Sequence, residues 1–267
     1  MTTASEERRG LLVAVANPEA VAPLVAIAIS ASDADDPPPI VLGLTRPEGK
    51  ESAVTSSPGE APPSAALIAA SDYASKNKVA IQTRSIWSRD PAGDIIAAAQ
   101  ASRVSGILVG YHRTALGSDT MGGVVREVFT RATSLPLSVS VFIQGTDHPF
   151  ERIYVAVDGS PDGRAALGLA VRVARRNKAK LRALVVSNSV PHDDTDLMDM
   201  VHEAQMGIGR LFHTDVLTER SLNRLLKQTP GRLLVVGRKF ASEVGMPLDE
   251  VPGGDRCVLV VQGVQPV

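Results

Sequence analysis

Two stretches of this chain carry the residue types that could hold a phosphorylated ligand. One is GILVGYHRTALGSDTMGGVV, residues 106–125, where an apolar run gives way to a glycine-spaced segment and then a helix-like pattern. Glycines placed this way let backbone N–H groups approach a phosphate closely. The other is VAVDGSPDGRAALGLAVRVARR, residues 155–176, where Asp158 ends an apolar run and Gly159–Ser160–Pro161 turn into a helix. A carboxylate at 158 can accept hydrogen bonds from a ribose hydroxyl or an adenine amino group. Asp and Ser are also common in strand-to-helix turns and caps, so this turn alone fits either role.

The elements that must position these turns recur. LLVAVA at 11–16 is echoed by IYVAVD at 153–158, GILVG at 106–110 by LLVVG at 233–237, and VFIQG at 141–145 by LVVQG at 259–263. Three matches in one order mark two copies of a unit, divided near GTDHPF at 145–150. The spacing predicts strands at 11–16, 40–45, 79–86, 106–110 and 137–144, with helices near 18–30, 64–77, 92–103 and 122–133. In the second copy it predicts strands at 153–158, 180–186, 211–217, 233–237 and 257–262, with helices near 161–177, 196–208 and 219–228. Alternation of this kind implies an α/β fold whose parallel sheet is covered on both faces. Ligands of such sheets sit beyond the carboxyl ends of the strands, where the connection order reverses.

Composition supports the same class. Of 267 residues, 44% are hydrophobic and only 3% aromatic, so Ala, Val, Leu and Ile must build the core. A net charge of −1 argues against a nucleic-acid binder. Cys257 is the single cysteine, which excludes an intramolecular disulfide and fits a reducing compartment. No apolar run reaches the roughly 18–20 residues that span a bilayer, and MTTASEERRG lacks a signal-peptide core, so a cytoplasmic module is expected. RPEGKESAVTSSPGEAPP at 46–63 is too polar to pack and reads as a loop that can lie over the ligand-side rim.

VAVDGSPDGRAALGLAVRVARRNKAKLRALVV resembles the opening of the universal stress protein family, and the two-copy layout resembles its tandem members. The resemblance implies two tandem five-stranded parallel α/β (Rossmann-like) domains, 1–147 and 148–267, the second truncated near its C-terminal helix. It implies ATP or another adenine nucleotide as ligand, held by an Asp after the first strand and a glycine loop after the fourth. In that loop, Gly110 and Gly123 match glycines, Arg113 stands where a middle glycine belongs, and Val124 replaces a hydroxyl residue. His112 lies beside Arg113 and could approach a phosphate or stay solvated. Ala16, followed by Asn17, stands opposite Asp158, so the first copy keeps much of the phosphate cradle and lacks the carboxylate.

The second copy keeps Asp158, Gly159, Ser160 and Gly237, but Phe240 takes the middle glycine position. GMPLDEVPGGDRC, at 245–257, opposes a regular helix beyond it. The ends of the second strands, Leu44 and Val186, would hold the base. Loss of one carboxylate hydrogen bond should cost about 1.5–3 kcal/mol, roughly ten- to a hundredfold in affinity.

Other constellations point elsewhere. HDDTDLMDMVHE at 192–203 lacks the His spacing of a metal helix and reads as a solvated acidic loop; no metal is expected. Arg172, Arg175, Arg176, Lys178, Lys180 and Arg182 read as a helix C-terminus and solvated edge, with docking to an acidic partner or lipid headgroups the lesser alternative. No Walker, nucleophile-elbow or zincin motif occurs, and the chain reads as non-enzymatic. Two functions remain open at this stage. One is a regulatory module sensing an adenine nucleotide through one degenerate site. The other is a ligand-free interaction module resembling the cytoplasmic tails of bacterial cation/proton antiporters and amino-acid transporters, at the inner face of the membrane. The final strands of the two copies could pair about a pseudo-twofold axis, with homodimerisation open.

Overall fold

The computed structural model describes residues 9–46, 60–111, 123–143, 147–186, 199, 201–206, 213–217, 233–243 and 257–264. The apolar runs form β1 (Leu11–Val15), β2 (Ile40–Thr45), β3 (Gln82–Trp87), β4 (Gly106–Tyr111) and β5 (Ser138–Ile143). They continue as β6 (Arg152–Val157), β7 (Lys180–Val186), β8 (His213–Leu217), β9 (Leu233–Gly237) and β10 (Cys257–Gln262). All ten join one sheet in the order β3-β2-β1-β4-β5-β10-β9-β6-β7-β8. Read outward from the seam, each half has the same order of its own strands, and every pairing within a half is parallel.

The halves meet where β5 and β10 pair antiparallel, with Val141 opposite Val260 and Gln262 opposite Val139. This joins β5 to β10 within one chain and leaves neither strand as a free edge. Central strands are Val- and Leu-rich along their whole length because helices cover both sides. On one face, α1 (Val21–Ala31), α2 (Ala65–Asn77) and α5 (Pro161–Asn177) pack over Val13, Val155, Val235 and Leu259. On the other, α3 (Pro91–Ala101), α4 (Gly123–Ala132) and α6 (Arg238–Glu243) pack over Leu12, Val141, Val236 and Val260. Each apolar layer runs through both halves; the sheet divides the core by face, as side-chain alternation requires.

Local sequence explains the helix starts. Ser64, Asp90 and Ser160 each accept an N–H from the first turn, at 3.3, 3.1 and 3.1 Å, and prolines 91 and 161 follow the last two caps. Helix α6 departs from expectation, since nothing in 238–243 has a helical apolar period. Phe240 and Ala241, 2% and 0% exposed, dock it on the core, and burial overrides the weak local pattern. The helix expected at 219–228 lies outside the described residues. Of the one expected at 196–208, residues 201–206 are helical.

The basic run does more than end a helix. Arg172 donates through Nε to the carbonyl of Ala31, the last residue of α1, at 2.7 Å, and Arg175 pairs with Asp33. A cleft of about 910 Å³ lies there, lined by Arg9, Ser32, Asp35, Asp36 and Arg176 among others. An open carbonyl at a helix C-terminus attracts a guanidinium. These contacts cross between the halves, so Arg172 and Arg175 latch α5 to α1.

Candidate functional site

A cavity of about 510 Å³ opens beyond the carboxyl ends of β1, β2 and β4. This is the switch point of the first half, where β1 connects outward to β2 and the chain later returns to β4 on its other side. Ala16, Asn17, Leu44, Thr45, Gly110 and Val124 line it, as do Arg46, Ser88 and Arg89. The walls are largely aliphatic, from Val15, Leu24, Ile95, Val109 and Val125.

Of the residues expected here, Asn17, Leu44 and Gly110 line the cavity, and Gly123 begins α4, whose next two residues form part of its wall. His112 and Arg113 lie outside the described residues. Asn17 has a second task. Its Oδ1 accepts the N–H of Glu19 at 3.0 Å, capping the helical turn that starts at Pro18. Ser160 and Pro161 play the same parts before α5, so the capping geometry pairs Asn17 with Ser160. Asp158 then has only Ala16 as its counterpart, and the first half lacks a carboxylate there. At Gly110 a Cβ would lie 2.8 Å from Leu24 Cδ1, so a larger residue there requires the Leu24 side chain to shift.

Two hydroxyls of the cavity are the unexpected feature. Thr45 Oγ1 and Ser88 Oγ are buried without a hydrogen-bond partner among the described residues, and Ser88 is 5% exposed. Their backbones are joined, Ser88 N–H donating to Thr45 O at 2.9 Å. An unmatched buried hydroxyl costs about 1–3 kcal/mol, so a pair at one cavity wall marks a place for a polar ligand edge. Arg46 and Arg89 add positive charge at the same rim. The rule that ligands gather at strand carboxyl ends points to this cavity, but residue type and spacing do not single out Thr45 or Ser88.

Beside the rim, Asp90 caps α3 and pairs with Arg131 of α4 at 2.5 Å; Arg131 also meets Glu127 at 3.0 Å. The Arg131 hydrogen bond, aided by the Gly93 N–H, holds the Asp90 carboxyl below the usual carboxylate range. Arg131 is shifted upward by the same contact. The pair ties the two helices on that side of the cavity.

In the second half the expected residues come together differently. Gly159 turns the chain at φ +73°, and Asp158 Oδ1 accepts from Ser160 N at 3.1 Å and Ser160 Oγ at 2.6 Å. The turn satisfies itself. Val186 ends β7 in register with Leu217. Gly237 abuts α5, where a Cβ would stand 3.0 Å from Gly163 N. Asp162, which sequence reasoning passed over, is 5% exposed; its Oδ1 accepts Gly263 N–H at 2.9 Å and its Oδ2 accepts Lys239 N–H at 3.0 Å. Cys257 is buried in the core. Most of 192–203 lies outside the described residues.

Doubly wound, mostly parallel α/β architecture with a switch-point cavity defines the class. Residues 149–237, within the second half, match the model of the Universal stress protein family. The whole chain shares its fold with a universal stress protein from Archaeoglobus fulgidus DSM 4304, at 17% identity and TM-score 0.58, covering 97% of this chain and 98% of that one. A protein of unknown function from Pseudomonas aeruginosa PAO1 is similar at 16% identity and TM-score 0.56, over 96% of this chain and 92% of that one. So is the cytoplasmic domain of a prokaryotic cation chloride cotransporter, at 15% and 0.56, over 95% of each chain. No curated protein matches the chain. Among the described residues no helix is long and apolar enough to cross a membrane.

Proposed function

We propose that the chain is a non-catalytic regulatory module of two universal-stress-type domains, 1–147 and 148–267, whose first domain binds an adenine nucleotide. One observation carries this reading: the switch-point cavity holds two buried hydroxyls, Thr45 Oγ1 and Ser88 Oγ, that have no hydrogen-bond partner among the described residues. Its volume of about 510 Å³ falls within the roughly 300–1,000 Å³ of small-molecule sites, and its aliphatic walls suit a flat base. The hydroxyls offer donor and acceptor capacity to the edge of that base. Arg46 and Arg89 can pair with phosphates. Without a carboxylate at position 16, ribose hydroxyls gain no charged partner, and the affinity is modest. Calorimetry with ATP, ADP, AMP and cyclic dinucleotides tests the reading; heat from none of them at millimolar concentration removes it.

A second reading rests on the shared fold with a transporter's cytoplasmic domain over 95% of both chains. In it the module works at the inner face of a membrane as a docking partner of a transporter, with the cavity empty. Co-purification with a transporter from native membranes, unaffected by nucleotide, favours this reading.

A further inference from the structure

We propose that the first-half cavity selects an adenine nucleotide bearing a second phosphate on its ribose, at the 2′ or 3′ oxygen, besides its 5′-phosphate. This ligand class rests on the nucleotide-binding reading of the same cavity and sharpens it.

Positive charge reaches the cavity from two sides. On one side the adjacent parallel strands β2 and β3 run out into Thr45–Arg46 and Ser88–Arg89, and all four residues line the cavity. On the other side, beyond β4, α4 begins at Gly123, and its first turn supplies Val124 and Val125 to the wall. The N-terminus of a helix carries partial positive charge that suits a phosphate. Strand β1 lies between β2 and β4, so Ala16, just past its end, stands between the two positive regions. A 5′-phosphate chain directed at α4 brings no negative charge to the guanidiniums across the ribose. A phosphate on the ribose itself does.

Position 16 decides whether such a phosphate is admitted. The matched runs LLVAVA and IYVAVD set Ala16 where the second half has Asp158. A carboxylate there would accept the ribose hydroxyls and repel a phosphate in their place. Ala16 removes that repulsion, and it is exposed, so the larger group meets no buried wall at this point. Among the described residues lining the cavity there are two arginines and no Asp or Glu. In dinucleotide-binding sheets the same exchange, an acidic residue giving way to an arginine near the strand ends, separates a free 2′-hydroxyl from a 2′-phosphate. A guanidinium holds phosphate through two parallel, charge-assisted N–H bonds. Arg46 and Arg89 supply such groups at the rim, while Thr45 and Ser88 remain for the base edge.

Calorimetry tests this by comparing adenosine 2′,5′-bisphosphate and adenosine 3′,5′-bisphosphate with ADP, which carries as many phosphate groups in a single chain. One isomer should bind about tenfold more tightly than ADP, the gain of one charge-assisted contact. A preference below about threefold for both isomers overturns the proposal. Two variants locate the effect. Ala16→Asp restores the carboxylate and should cut the preference at least about threefold, by weakening the bisphosphate and not ADP. Arg46→Gln should cut it likewise, and both positions are exposed, so neither change disturbs the core. A preference that falls in either variant supports the proposal; one that survives both overturns it. ADP binding without the preference removes this proposal alone. Heat from neither ADP, ATP nor either bisphosphate removes the nucleotide reading together with it.

Discussion

The guanidinium of Arg238 lies over the ring of Phe129, 4.8 Å from its centroid, and the same guanidinium donates to Gln262 Oε1. Gln262 in turn donates through Nε2 to the carbonyl of Phe129 at 3.3 Å. Three residues from two halves of the chain close a ring around the end of β10. Phe129 sits on α4, whose first turn contributes Val124 and Val125 to the cavity wall. Arg238 and Gln262 each precede a residue whose N–H Asp162 accepts. The ring therefore connects the cavity wall of one half to the buried Asp162 of the other through packed, hydrogen-bonded groups.

Arg238→Ala removes the cation–π contact and leaves Gln262 Oε1 without this donor. Its expected cost is about 1–3 kcal/mol in urea unfolding. A double-mutant cycle with Phe129→Leu should show a coupling of about 0.5–1.5 kcal/mol, since the two residues touch. Additive losses would mean that the stacking contributes nothing.

The unpartnered hydroxyls make an opposite prediction for stability and binding. Thr45→Val and Ser88→Ala each discard a buried polar atom that has no partner among the described residues, so the unliganded protein gains about 0.5–2 kcal/mol per change. Affinity for an adenine nucleotide falls in both variants, by roughly threefold to tenfold, as one hydrogen bond is lost. Thermal unfolding and calorimetry on the same samples separate the two effects. A drop in unliganded stability would show that the hydroxyls already have partners.

The sequence made the strands legible because each central strand is a short Val- and Leu-rich run, and the repeat of those runs placed the seam between β5 and β10. The capped helices were equally readable, as Ser64, Asp90 and Ser160 act within three residues of themselves. What stayed hidden depends on distant pairs. Asp162 meets residues 77 and 101 positions away, and Arg172 meets a carbonyl 141 positions away. Periodicity has no access to such contacts, which exist only once the sheet has closed. Thr45 and Ser88 were missed for a related reason: an ordinary hydroxyl becomes informative only when burial removes its water.

The latch between α1 and α5 separates two kinds of polar contact. Arg175 and Asp33 are about half exposed, with side-chain values of 51% and 47%, so water screens their attraction. Asp33→Asn should change stability by no more than about 0.5 kcal/mol, and less still in high salt. Arg172 instead satisfies a carbonyl at a helix end in a part-buried setting. Arg172→Ala should cost about 1–2 kcal/mol and should be insensitive to salt. Urea titrations at two ionic strengths measure both; equal, salt-sensitive losses would contradict the assignment.

Acid sensitivity at the cavity rim follows from Asp90. Its carboxyl is held low by Arg131 and by the Gly93 N–H, so its folded pKa lies below its unfolded value. A group of this kind adds stability above its unfolded pKa of about 4. That contribution fades as pH falls through the folded value, because the unfolded chain takes up the proton first. Both partners are substantially exposed, with side-chain values of 42% and 54%, which keeps the effect small. Asp90→Asn should therefore lower Tm slightly at pH 7, and the difference should shrink as pH falls below about 4. A difference that persists undiminished at pH 2 would assign the effect to helix capping and not to the ion pair with Arg131.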